Sequence, residues 1–101
     1  MPLAAGSGDA DFLRAFETRL KPAALSFSPE FVLVSAGFDA HREDPLGGMD
    51  VTEEGYIRMT EIAREIARQC CNDRLVCVLE GGYDLEALAA SVEAHIRVLM
   101  E

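Results

Sequence analysis

The sequence predicts an α/β unit in the order helix, strand, helix, strand, helix, with the two strands parallel. Three observations carry this. Phe31-Val-Leu-Val34 and Arg74-Leu-Val-Cys-Val-Leu-Glu80 are short, unbroken, β-branched apolar runs, the pattern of strands buried on both faces of a parallel sheet. Helical periodicity separates and flanks them. A helix between two strands joins them in parallel by a right-handed crossover.

Taken in order, residues 1–8 hold one proline and two glycines and read as irregular. Asp9 is placed to cap a helix whose apolar face is Phe12, Leu13, Phe16 and Leu20. Pro22 falls inside that pattern, but Ala24 and Phe27 continue the face, so a kink is expected rather than a stop. Ser28-Pro29 closes the segment. Past the first strand a loop runs from Gly37 to about Asp50 and contains the turn sequence Asp44-Pro45-Leu46-Gly47-Gly48. Thr52 is expected to cap the second helix, with Glu53 and Glu54 in its first turn. Its apolar face is Met59, Ile62, Ala63, Ile66 and Cys70, and Asn72-Asp73 ends it. Gly81-Gly82-Tyr83-Asp84 turns into the third helix, whose apolar stripe is Leu85, Leu88, Ala89, Val92, Ile96 and Leu99.

At 101 residues, 50% hydrophobic and 27% charged, the chain is at most one globular domain. The net charge of −9 disfavours nucleic acid or an anionic membrane as partner. No stretch approaches the ~20 apolar residues of a membrane span, and the N-terminus lacks a signal-peptide pattern. The three cysteines, Cys70, Cys71 and Cys77, show neither a disulfide framework nor Cys-x-x-Cys spacing. Reduced thiols in a cytoplasmic protein are the reading, with Cys77 in the core. Two apolar strands alone make a poor sheet with two naked edges. The chain therefore reads as part of a larger α/β domain, with self-association as the alternative.

Both strands end in small residues followed by a functional group: Gly37-Phe38-Asp39 and Gly81-Gly82-Tyr83. Ligands of open α/β sheets bind beyond the carboxyl ends of strands. If the strands are neighbours, Asp39 and Tyr83 emerge at one edge. A carboxylate can hold a divalent metal and a phenol can donate to an oxyanion. The plainer alternatives are a turn cap for Asp39, a simple turn for Gly81-Gly82, and a packed ring for Tyr83.

Three blocks carry a specific resemblance: Pro2-Leu-Ala-Ala-Gly-Ser-Gly-Asp9, Val34-Ser-Ala-Gly-Phe-Asp-Ala-His-Arg-Glu-Asp-Pro-Leu-Gly-Gly48 and Leu79-Glu-Gly-Gly-Tyr-Asp-Leu85. The chain resembles, nearly end to end, the C-terminal part of the zinc-dependent histone deacetylase and acetylpolyamine amidohydrolase superfamily, nearest its class II-like and bacterial members. The resemblance implies a partial three-layer α/β/α sandwich of the arginase/deacetylase type, with residues 1–101 as the C-terminal portion of the domain and the N-terminal portion absent. It implies Asp39 as one of three zinc ligands and Tyr83 as the catalytic group that polarises the acyl carbonyl. Leu46 matches a wall of the acyl channel, and Gly81 and Gly82 match glycines beside its floor. The implied reaction is hydrolysis of an acylated amine, of the acetyl-lysine or acetylpolyamine type.

The family's Asp-x-His ligand pair and His-His base have no counterpart here. Asp39-Ala40-His41 has Asp-x-His spacing but aligns with a different loop, so His41 is read as a loop or rim residue. His95 is read as structural or surface, Asp44 and Asp84 as turn and helix-start residues, and Glu80 as without chemistry. The expectation is a deacylase fragment inactive by itself. The alternative is a non-enzymatic remnant or interaction module that associates with another chain. A small nucleotide-binding domain fails, because neither strand runs into a glycine-rich phosphate motif.

Overall fold

The computed structural model describes residues 1–101. Helix α1 (Asp9–Ala15) passes through a π turn (Phe16–Leu20) into α2 (Lys21–Phe27); then come β1 (Val32–Ala36), α3 (Glu53–Cys71), β2 (Leu75–Leu79) and α4 (Leu85–Met100). The strands pair in parallel, Val32 opposite Leu75 through Ala36 opposite Leu79. The predicted order and pairing are thus observed, with β1 starting one residue later and ending two residues later than the apolar run that predicts it.

The helical path does continue past Pro22. The irregularity takes the form of a π turn in which the Lys21 amide donates to the Phe16 carbonyl. One extra residue in the turn passes the chain to Pro22, which has no amide to offer. Thr18 also bonds back to the Arg14 carbonyl at 2.7 Å, a contact that bends helices. The cap assignments differ more. Gly8, not Asp9, is the N-cap of α1, and its amide donates to Asp11 Oδ2 (3.0 Å). Asp9 looks away from its own helix: its carboxylate accepts from Thr52 N (2.8 Å) and Thr52 Oγ1 (2.5 Å). Thr52 therefore occupies the N-cap of α3 without capping it by its side chain. One acid ties the starts of two helices together. Asn72 ends α3 in the left-handed region (φ 54°), as expected of an asparagine stop.

The sheet is covered on one face only, contrary to the two-sided burial its apolar strands predict. Val34, Ala36 and Cys77 lie towards the core, whereas Leu33, Val76 and Val78 are exposed. The second layer that these apolar residues suit is simply not supplied by residues 1–101. The central cluster is Ala36, Phe38, Val51 and Tyr56, with Cys77 packed against it.

Helix α4 buries only part of the stripe its periodicity predicts: Leu88 and Val92 pack against the core, but the fully covered positions lie beside them. Ala87, Ser91, His95 and Val98 are buried, while Leu85 (80% exposed) and Ile96 face out. Ala87 and Ser91 let α4 lie close along α3, and only part of the predicted apolar stripe is left outside. On α3 the buried thiol is Cys71, one position on from the expected Cys70. His95 Nδ1 lies 2.8 Å from Thr60 Oγ1 and its ring meets Phe38 edge-on, so its role is structural.

Candidate functional site: the carboxyl ends of the two strands

The ladder continues briefly beyond both strands. Glu80 N–H donates to the Ala36 carbonyl (3.1 Å) and Phe38 N–H to the Gly81 carbonyl (2.8 Å). These rungs hold the two strand exits side by side, as parallel pairing requires, and a polar cleft opens between them. Ser35, Gly37, Asp39, Glu80, Gly81 and Tyr83 line it. The structure therefore brings Asp39, Gly81 and Tyr83 together at one edge. A larger apolar groove runs along β1 beneath the first helices and meets the cleft at Ser35 and Gly37, but its lining carries no carboxylate.

Asp39 sits in a cradle of glycines. A Cβ on Gly81 would lie 2.8 Å from Asp39 Cγ and Oδ2, and one on Gly37 would lie 3.0 Å from Oδ1. A Cβ on Gly47 would overlap the Asp39 carbonyl. Carboxylate and backbone are thus both closely bounded, yet no donor of the chain hydrogen-bonds the carboxylate. A turn-capping aspartate would use its oxygens on nearby amides; Asp39 does not.

The residue that does so is Asp44. Its Oδ1 accepts from Leu46 N (2.8 Å) and Gly47 N (2.9 Å), which closes the Asp-Pro-Leu-Gly turn. Its Oδ2 accepts from Tyr83 N at 2.9 Å. Burial pushes this carboxyl up, but the amides of Leu46, Tyr83 and Gly47 together outweigh it and hold the pKa below its ordinary value. Leu46, at the tip of that turn, is exposed. Gly82 has φ +137° and packs against Leu88, so it serves the entry to α4. Asp84 caps that helix through Ala87 N (3.0 Å), as its place before the apolar stripe predicts.

The Tyr83 ring is largely exposed on the cleft. Glu80, to which the sequence assigns no chemistry, lies on the same lining. His41 is not at the rim: it is 4% exposed. Its Nδ1 accepts from Glu43 N (3.1 Å), and its Nε2 lies 3.2 Å from Glu53 Oε1, off hydrogen-bond geometry. The backbone on either side pairs with the α3 lead-in, Val51 N donating to Ala40 O (3.0 Å) and Arg42 N to Val51 O (2.8 Å). His41 is a buried brace of the loop. The N-terminal residues, expected to be irregular, add to it through Asp50 N to Ser7 O and Gly6 N to Gly48 O, both 2.8 Å.

No three metal-ligating side chains converge within the chain. What the strand exits offer is two carboxylates without a hydrogen-bond partner, Asp39 and Glu80, and one phenol on the same cleft. That is half of a polar site, built where open α/β domains place their ligands.

Known proteins complete the class. The histone deacetylase domain family matches residues 1–99, and the chain belongs to that family. It is 47% identical over 95 residues to histone deacetylase 15 of Arabidopsis thaliana, covering 94% of this chain and 16% of that protein. It is 45% identical over 95 residues to the mouse (Mus musculus) polyamine deacetylase HDAC10, covering 94% and 14%. Among solved structures, the HDA15 HD domain superposes with a TM-score of 0.88 at 46% identity, over 96% of this chain and 26% of that one. The histone deacetylase Clr3 gives 0.87 at 34% identity, over 96% and 16%. The α-β-α-β-α unit is thus a portion of the arginase/deacetylase fold, and the chain spans about a quarter or less of each of these relatives. No helix is long and apolar enough to cross a membrane.

Proposed function

We propose that residues 1–101 are the C-terminal portion of a zinc-dependent deacylase domain that hydrolyses acylated amines such as acetyl-lysine or acetylpolyamines. The observation that carries the reading is Asp39: a carboxylate bounded by Gly37 and Gly81, without a protein donor, on a cleft shared with Tyr83. An oxygen donor held in this way suits zinc, which takes carboxylate ligands. The donor set is incomplete in this chain, since a catalytic zinc site usually has three protein ligands. The other ligands and a general base would come from outside residues 1–101. Zinc, when bound, supplies Lewis-acid polarisation and water activation.

The remaining roles belong to this chain. Tyr83 donates its phenolic proton in a hydrogen bond to the oxygen of the acyl carbonyl as charge develops there. Gly81 keeps the approach to Asp39 open. Gly82 makes the turn beside it, and Leu46 offers an apolar wall to the acylated side chain. The three free thiols fit a reducing compartment such as the cytoplasm. The bare sheet face favours a second reading, an interaction module that docks on another chain.

The test is made in the intact domain. Tyr83→Phe is expected to lower kcat on an acetyl-lysine peptide by about 10²–10³-fold with zinc content unchanged, and Asp39→Asn to lose zinc. Full zinc retention by Asp39→Asn would overturn the ligand assignment. An intact domain that binds no zinc would favour the interaction module.

A further inference from the structure

Asp44 joins two segments that the sequence keeps 39 residues apart. One is the loop that carries Asp39 and Leu46; the other is the turn that carries Tyr83. Beyond the Phe38–Gly81 rung, the bond from Tyr83 N to Asp44 Oδ2 is the one hydrogen bond that crosses between them. The same carboxylate closes the turn at Leu46 and Gly47 through its other oxygen, and Gly47 abuts the Asp39 carbonyl. The loop therefore cannot move without moving the acceptor for Tyr83.

Tyr83 needs such a tether. The residue is 54% exposed, and its hydroxyl has no partner in the chain. Two glycines precede it, and Gly82 adopts φ +137°, a region that glycine enters freely. Side-chain packing does not fix this tyrosine, so its backbone must. A charge-assisted bond donated to a carboxylate is about twice as strong as a neutral one, and this carboxylate also accepts from two further amides.

We infer that Asp44 is a positioning residue, which sets Tyr83 against Asp39 and couples that placement to the Leu46 turn. The inference rests on the role proposed above for Tyr83. Asparagine is the discriminating substitution. It keeps one carbonyl oxygen and turns the other acceptor into a donor, so it can serve the Leu46–Gly47 pair or Tyr83, but not both.

The experiment combines amide hydrogen exchange with steady-state kinetics on an acetyl-lysine peptide, in the intact zinc-loaded domain. For Asp44→Asn, exchange at the Tyr83 amide is expected to rise by at least about tenfold, with the amides of α3 unchanged as the check on folding. A catalytic group released from its position costs on the order of 10- to 100-fold, so kcat should fall by that factor. KM and zinc content should stay near their starting values. The double variant Asp44→Asn/Tyr83→Phe should be no slower than Tyr83→Phe alone, since Asp44 acts through the tyrosine. Unchanged exchange at Tyr83 would overturn the inference, as would raised exchange with full kcat. A further loss in the double variant would assign Asp44 to something other than Tyr83. If Tyr83→Phe itself keeps full activity, the proposed function is what fails, which separates the two outcomes.

Discussion

Replacing Gly81 by alanine adds a single methyl group at the most confined point of the cleft. Gly81 is buried, and its φ is not in the left-handed region, so alanine meets no backbone penalty. What it meets is Asp39: the new Cβ would lie 2.8 Å from Cγ and Oδ2. Ordinary carbon contacts are about 3.5–4.0 Å, so the carboxylate must retreat by roughly 0.7–1.2 Å. Its escape is restricted, because Gly37 stands close on another side of the carboxylate and Gly47 abuts the carbonyl. The side chain must leave its rotamer at about 0.5–1.5 kcal/mol, or the end of β2 must move and strain the Phe38–Gly81 bond. The total is within the ~1–3 kcal/mol range of a methylene forced into a packed site, small enough for the fold to survive. Under the proposed function the geometry of Asp39 as a ligand is less tolerant, since a zinc–carboxylate bond is about 2.0–2.2 Å long. Changes beside a metal ligand typically lower affinity about 10- to 100-fold. The expected result in the intact domain is therefore a zinc affinity lowered by that factor, measured by competition with a chelator, with a modest drop in Tm. Unchanged zinc affinity in a folded Gly81→Ala protein would refute the reasoning, because it would mean that Asp39 is not held where a metal needs it.

Two further predictions concern the scaffold. Asp9→Ala strands the amide and hydroxyl of Thr52 and frees α1 from the start of α3; it should lower stability by about 1–3 kcal/mol, read from the midpoint of urea denaturation. His95 is buried beside Thr60 and Phe38, and burial lowers its pKa below the ordinary 6.5. The unfolded chain therefore binds a proton near pH 6.5 that the folded chain resists, so this group's contribution to stability is present above that pH and declines as pH falls below it. His95→Gln should flatten the pH dependence of Tm between about 7 and 5, and an unaltered slope would show that His95 is not the group responsible.

How far the sequence reveals this molecule depends on the range of the interaction involved. Asn72 as a helix stop, Asp84 as a helix start and the Asp44 turn all act within a few residues, and all are found where the sequence predicts them. The meeting of Asp39 and Tyr83 was legible too, because parallel pairing aligns strand exits. Asp9 was misread, since its partner Thr52 lies 43 residues away and a local cap is the ordinary use of an aspartate before a helix. The inner side of α4 is legible only in part, through Leu88 and Val92, for another reason. Periodicity finds the most apolar stripe, but which stripe is covered depends on the neighbouring elements, and α3 accepts the small-residue side. The second bond of Asp44, to Tyr83, leaves no local trace at all.

The uncovered surfaces and the incomplete site have a common geometry. β1 has β2 on one side and no partner on the other, and the apolar groove lies along it, lined by Phe12, Phe16, Phe27 and Phe31 from the helical segment and the lead-in to the strand. Strands in a sheet are about 4.8 Å apart. A parallel strand added at the open edge of β1 would bring its carboxyl end next to Asp39, whereas one added beyond β2 would stand a full strand further away, on the side of Tyr83. Under the proposed function, ligands arriving from outside residues 1–101 are therefore best placed on the β1 side, which leaves Tyr83 to approach the reacting carbonyl from the other. On that reading, completing the sheet at the β1 edge and completing the metal site would be one structural event, because the open edge beside the apolar groove is also the edge nearest Asp39.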